Sequence, residues 1–201
     1  MGRAGYGKYP PQAYTWNNRP AAADWAGELI QITDVGLGGS LWISTGVLWK
    51  PVNGRVTLAA SAAAIASTNT TAEETLLSLI IKAGLLGLDG SLEILTTWTT
   101  TNGANDKTMR IRFNSTTLNL FLNQLVTAVA HVQQRTIITN RGVANSQMGA
   151  VTGLDEGTST GTIVTAAVDT SAETTLYIRS IKEVGTEICT LERHRIELVT
   201  P

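Results

Sequence analysis

Met109-Arg110-Ile111-Arg112-Phe113 alternates large apolar and charged side chains over five residues. In an extended chain successive side chains point to opposite faces, so Met109, Ile111 and Phe113 share one side and the two guanidinium groups share the other. That pattern is a half-buried strand. Working outward from it, similar short runs recur at Leu76 to Lys82, Ser91 to Thr101, Thr117 to Asn123, Thr127 to Thr139, Gln147 to Thr152, Thr160 to Val168, Thr174 to Ser180 and Glu187 to Val199. Turn signals stand between them: Gly84, Gly87, Asp89-Gly90, Asn102-Gly103, Asn140-Arg141-Gly142 and Asp155-Glu156-Gly157. Short strands at such spacing predict an all-β sandwich over residues 72–201.

One stretch competes with that reading. Leu118, Phe121, Leu122, Leu125, Val129 and Val132 recur at the spacing of an amphipathic helix. The β-branched and polar flanks, with strands on both sides, favour strand here as well.

Upstream, residues 21–58 read as a small β-module. Leu29-Ile30-Gln31-Ile32-Thr33 suggests one strand, and Leu41-Trp42-Ile43-Ser44 and Val47-Leu48-Trp49-Lys50 flank a hairpin tip at Thr45-Gly46. Trp42 and Trp49 are placed to meet across that hairpin. Pro51 cannot donate to a ladder, so its strand ends there or lies at an edge. Asn53-Gly54 is a turn signal leading into one more strand. A module this short buries little by itself and needs a neighbour or further copies to be stable. The Ala- and Ser-rich run 59–71 reads as a linker. Residues 1–20 read as an arm, with Tyr6, Tyr9, Tyr14 and Trp16 as aromatic anchors for docking on a particle.

Composition narrows the function. Charged residues make up 15% of the chain and the formal net charge is −1, which leaves no basic footprint for nucleic acid or an anionic membrane. Thirty threonines supply polarity instead, suiting solvated sheet faces. No apolar run is long enough for a membrane span. Arg3 and Lys8 are followed by Pro10-Pro11 rather than an apolar stretch, so no signal peptide is read; the expectation is synthesis in the cytoplasm and release by a route such as lysis.

Catalytic patterns are missing. His131 and His194 stand far apart outside any local motif, and His194, in Glu192-Arg193-His194-Arg195, is expected to face solvent or an interface. Cys189 is the single cysteine, which rules out an internal disulfide and a Cys-based zinc site; its apolar surroundings predict a buried, inert thiol. Gly36-Leu37-Gly38-Gly39 lacks the spacing of a dinucleotide fingerprint, and the pairs Glu73-Glu74 and Asp155-Glu156 lack a calcium-loop pattern. The expectation is a protein that is not an enzyme and takes no cofactor or metal.

The segments Thr33-Asp34-Val35-Gly36, Gly39-Ser40-Leu41-Trp42-Ile43-Ser44 and Trp49-Lys50-Pro51-Val52-Asn53-Gly54-Arg55-Val56-Thr57-Leu58 resemble a short module of tailed-bacteriophage structural proteins. Thr45-Gly46-Val47-Leu48 departs from the Asp/Asn-Gly tip usual in that module. Downstream, Asn69 to Leu76, Ala83 to Gly87, Asn140 to Gln147 and Val168 to Ala172 are similar to jelly-roll domains attached to it. The resemblance covers about residues 33–201 and implies a virion component built as a jelly-roll-like sandwich, forming homotrimers and touching other virion proteins through its N-terminal region. A short tail-fibre or receptor-binding appendage is the first expectation, and a capsid decoration or head-fibre protein the alternative. A carbohydrate-binding module outside any virus is a more remote one. If a bacterial surface glycan or protein is gripped, Trp98, Asn102 and Asn105 are the candidate contacts, although for Trp98 a core position is the commoner reading.

Overall fold

The structure, a computed structural model, describes residues 10–150 and 163–201, so Tyr6 and Tyr9 lie outside the described residues. The chain divides into two compact units, Met1–Val56 and Thr57–Pro201.

The smaller unit is a four-stranded sheet in the order β1 (Gln12–Tyr14), β2 (Leu29–Ile32), β3 (Ser40–Ser44), β4 (Trp49–Pro51). β1 runs parallel to β2, while β2–β3 and β3–β4 are antiparallel. Two-residue alternation sends Ile30, Ile32, Trp42, Ser44 and Trp49 to a buried face. Trp16 is 2% exposed and packs on that face, its ring 4.9 Å from Trp42, with the Arg19 guanidinium 3.7 Å above it. The ring packed on Trp42 is therefore that of Trp16, while register sets Trp42 opposite Pro51 and Trp49 opposite Ser44. The Trp49 indole donates to the Pro20 carbonyl at 2.8 Å, and that of Trp42 to Ser40 Oγ at 2.7 Å. Residues 10–20, read from sequence as part of a docking arm, thus supply an edge strand and a core aromatic of this unit.

The larger unit is a sandwich of two sheets, and the protein is all-β. Its strands are β5 (Arg55–Ser61), β6 (Ile65–Ala66), β7 (Glu74–Ile81), β8 (Ser91–Thr100), β9 (Lys107–Phe113), β10 (Leu120–Val126), β11 (His131–Asn140), β12 (Gln147–Ala150), β13 (Ile163–Ala166), β14 (Thr174–Lys182) and β15 (Cys189–Val199). One sheet has the order β10-β9-β14-β7; the other has β13-β12-β11-β8-β15-β5, with β6 also pairing β15. Removing the β12–β13 hairpin and β6 leaves eight strands in which 5 neighbours 15, 7 neighbours 14, 8 neighbours 11 and 9 neighbours 10. This nested pairing, split over two sheets, is the jelly roll. Cross-strand apolar pairs such as Ile94–Ile196, Leu92–Leu198 and Ile111–Ile178 line the space between the sheets.

Two expectations need correcting. The 59–71 run is not simply a linker: β5 reaches Ser61 and β6 lies at Ile65–Ala66, both in the larger sheet, and the units divide earlier, after Val56. The alternation of Val56-Thr57-Leu58 continues into the alanines, whose small side chains are no bar to strand pairing. The contested stretch is strand, but with shifted bounds. A register shift between Leu120 and Leu122 places Phe121 and Leu122 both in the core, and Leu118 and Leu125 stay exposed. A bulge adds one residue to the two-residue period, and that imitates helical spacing. Ala128, at φ 52°, turns the chain before β11.

Candidate functional site

Strand direction gathers four connections at one end of the roll: residues 62–73, 101–106, 127–130 and 183–188. They are laced together. The Ala128 N–H donates to the Gly103 carbonyl at 2.9 Å, the Glu183 N–H to that of Asp106 at 2.9 Å, and the Thr101 N–H to that of Ile188 at 2.9 Å. Thr127 Oγ1 donates to Asp106 Oδ1 at 2.5 Å, and the Asp106 N–H to Glu183 Oε2 at 2.9 Å.

Two buried lysines brace this platform from below. Lys107, 0% exposed, points its ammonium to both Glu187 oxygens at 3.3 Å and to the Gly103 carbonyl at 3.1 Å. Lys182 donates to Ser67 Oγ at 2.9 Å and to the Thr68 carbonyl, with Glu74 Oε2 at 3.7 Å. Ser67 Oγ also receives the Cys189 N–H at 3.0 Å. Burial pushes the Cys189 thiol up to about 11, against the opposing pull of Lys182 and Lys107, so it stays protonated and inert at neutral pH. Glu74 is pushed up by burial, but hydrogen bonds from Thr68 and the charge of Lys182 outweigh this and hold it below the usual carboxylate value.

The outer face of the β10-β9-β14-β7 sheet carries a second clasp. The Glu73 carboxylate accepts from Arg110 at 2.8 Å and Arg112 at 3.0 Å and pairs with Arg179 at 3.3 Å, which also donates to the Glu73 carbonyl at 3.0 Å. Arg112 also donates to the Thr117 carbonyl at 2.7 Å and Arg179 to that of Thr116. Burial raises the Glu73 carboxyl, while Arg112, Arg110 and Arg179 together bring it below its ordinary value. These guanidinium groups therefore tie two loops to the sheet.

The inner face of the larger sheet holds a polar row. Register places Gln134 and His194 on either side of Thr96, with Thr136 one inward step further along β11. His194 is 5% exposed, and burial pushes its imidazole below the ordinary 6.5. A register shift between Leu191 and Arg193 turns His194 inward where uninterrupted alternation would have sent it out. The expected solvated histidine is thus a core residue. Thr96 Oγ1, Thr136 Oγ1, His194 Nδ1, Trp98 Nε1 and Ser180 Oγ make no protein hydrogen bond. Each such group, if dry, costs about 1–3 kcal/mol, against about 5–15 kcal/mol for the stability of a whole domain.

The named candidates fare differently. Trp98 is 0% exposed in the sandwich core and cannot serve as a contact platform. Asn105 is half-buried, with Nδ2 3.4 Å from Glu187 Oε1, whereas Asn102 is exposed on the platform. Trp16 is core, and Tyr14 is half-buried, edge-on to Trp25 at 6.2 Å. Sequence reasoning missed Lys107, Lys182 and Glu187. The signal was present for the lysines: Lys107 is in phase with Met109, Ile111 and Phe113, and Lys182 with Leu176 and Ile178. Among the described residues, no group of three or more His, Cys, Asp or Glu is placed to hold a metal ion, and no helix is long and apolar enough to cross a membrane.

The class this defines is an all-β jelly-roll protein with a small N-terminal β-unit. No protein-family model matches the chain, and no curated protein matches it. Among solved structures, the CBM2 module of the evolved Dit of Lactobacillus casei BL23 phage J-1 is similar at TM-score 0.34 and 11% identity, over 62% of this chain and 69% of that one. A structure of infectious bursal disease virus Gx strain is similar at TM-score 0.21 and 9% identity, over 73% of this chain and 40% of that one. Neither likeness is close enough to bear on function.

Proposed function

We propose that this protein is a non-enzymatic structural component of a tailed-phage virion: a short tail-fibre or receptor-binding appendage, held to the particle by its N-terminal unit and presenting the loop end of its jelly roll to the host surface. The observation that carries the reading is the small sheet, apolar on both faces. Opposite its tryptophan face it exposes Leu29 at 42%, Leu41 at 46%, Ile43 at 36% and Val52 at 50%, with Lys50 as the only charged group in the ladder beside them. A sheet with two apolar faces calls for a cover on each. The occupant assigned here is another virion protein. The phage-module resemblance of residues 33–58 supports that choice, and association into homotrimers belongs to the same proposal. The braced platform suits the outward role, because contact residues on a rigid support lose little entropy on binding.

Replacing exposed Leu41 and Ile43 by Asp tests the attachment. The double variant is expected to fold and to be absent from particles grown with it; incorporation at the normal level would refute the docking role. Antibody labelling of intact virions then reads location, with label on tails supporting the appendage and label confined to heads moving the protein to capsid decoration. A monomer by light scattering at micromolar concentration would remove the trimer.

A further inference from the structure

Elsewhere in the larger unit Thr174 Oγ1, Arg179 Nε and Thr200 Oγ1 also lack a protein partner, while the buried lysines and amides named above have theirs. Lys107 and Lys182 are coordinated as described. At the opposite end Gln147 Nε2 donates to Asn140 Oδ1, the Ala144 carbonyl and the Val168 carbonyl, while its Oε1 accepts the Val168 N–H. Asn140 Nδ2 in turn reaches the Gly87 carbonyl and Thr170 Oγ1. Thr96, Thr136 and His194 are distinguished by being neighbours in register, with Trp98 next along β8 and Ser180 on β14 of the facing sheet.

We infer that the interior of the jelly roll holds bound water along this row. The chemistry selects the occupant. The five groups are three hydroxyls, an indole N–H and an imidazole nitrogen, all neutral when the histidine is unprotonated. No carboxylate of the row would hold a cation, and no fixed positive charge would hold an anion. What remains is a small neutral molecule that both donates and accepts. Packed sheets stand about 10 Å apart and their side chains fill most of that distance, which excludes anything much larger than water. A buried water typically makes about three hydrogen bonds, so about one molecule matches the Thr96, Thr136 and His194 groups, and others would be needed for Trp98 and Ser180. The lateral pair Thr96–His194 and the diagonal neighbour Thr136 form the natural first site; Trp98, one inward step from Thr96 on β8, extends it.

The test pairs Thr96→Val and Thr136→Val, which delete the hydroxyls and keep the side-chain shape, with magnetic relaxation dispersion of water nuclei on the intact chain. The wild type is expected to show long-lived waters, and the double variant to lose part of that dispersion amplitude and melt several degrees lower. Unchanged amplitude, with equal or higher melting temperature, would mean a dry interior and overturn the inference. Should the double variant fail to fold, a crystal structure of the wild type decides. Water density within hydrogen-bond distance of Thr96 Oγ1 and His194 Nδ1 upholds the site; an empty interior, or density for a larger molecule, refutes it.

Discussion

The two ends of the jelly roll solve one problem with different chemistry. At the loop end, buried polarity is ionic: Lys107 faces Glu187, and Lys182 faces Glu74 beside Ser67. At the other end, beside the arginines that hold residues 116 and 117, stands a neutral amide knot of Gln147 and Asn140 closed by Thr170, which donates to the Ala144 carbonyl at 2.7 Å. Both ends must fasten loops that the sheet ladders cannot reach. The ionic solution tolerates the loss of a partner poorly, because a stranded buried charge costs more than a stranded amide. The end that carries residues 101–106 and 183–188 is thus the end braced by buried lysine–carboxylate pairs.

The difference can be broken from the ionic side first. Glu187→Ala strands the Lys107 ammonium at 0% exposure, and is expected to lower the stability of the sandwich by about 3–5 kcal/mol in urea unfolding. Replacing both partners together, Lys107→Met with Glu187→Leu, should recover much of that loss; no recovery would mean that packing rather than charge fastens this end. Gln147→Leu removes four hydrogen bonds from the neutral knot and is expected to cost about 2–3 kcal/mol, less than the ionic break. An equal or larger effect from Gln147→Leu would reverse the ranking.

Acid sharpens the same contrast. Glu73 and Glu74 both titrate below their ordinary 4.5 in the folded protein, so they favour folding above that pH and lose this contribution as pH falls through their folded values. His194 is also depressed, from 6.5. Its neutral form is the one the core accepts, so stability starts to fall once pH drops below about 6.5. The expected profile, read by melting temperature against pH, declines in two stages, and His194→Gln should remove the upper one. Because the amide knot does not titrate, the cost of Gln147→Leu should be the same at pH 7 and pH 5. The smallest effect belongs to Asn102→Ala on the exposed platform, within about 0.5 kcal/mol of wild type. A larger loss would show that Asn102 braces the loops rather than presenting a surface.

Much of the larger unit was legible residue by residue. Each observed strand from β7 to β15 overlaps one of the runs read between turn signals, and where one face lies in the core, as in β9, the two-residue period is written into the sequence. The candidate site was less so. Trp98 was offered as a contact although a core position was its commoner reading, and Asn102 and Asn105 as a contact loop. Which of these is covered depends on strands that are distant in the chain.

What the sequence determined by itself is the secondary structure and its phase: Met109-Arg110-Ile111-Arg112-Phe113 is a strand with the apolar side chains inward, and the structure has it so. What only the tertiary structure decided is where that phase slips and who meets whom. The shifts at Leu120–Leu122 and Leu191–Arg193 turn Phe121 and His194 into the core, and each breaks the two-residue period at a place that alternation alone does not assign. Pairing of β5 with β15 joins residues well over a hundred positions apart. The physical reason is common to both. Alternation is a local property of the extended backbone, whereas a bulge is set by the partner strand and a nested pairing by the closure of two sheets over one core.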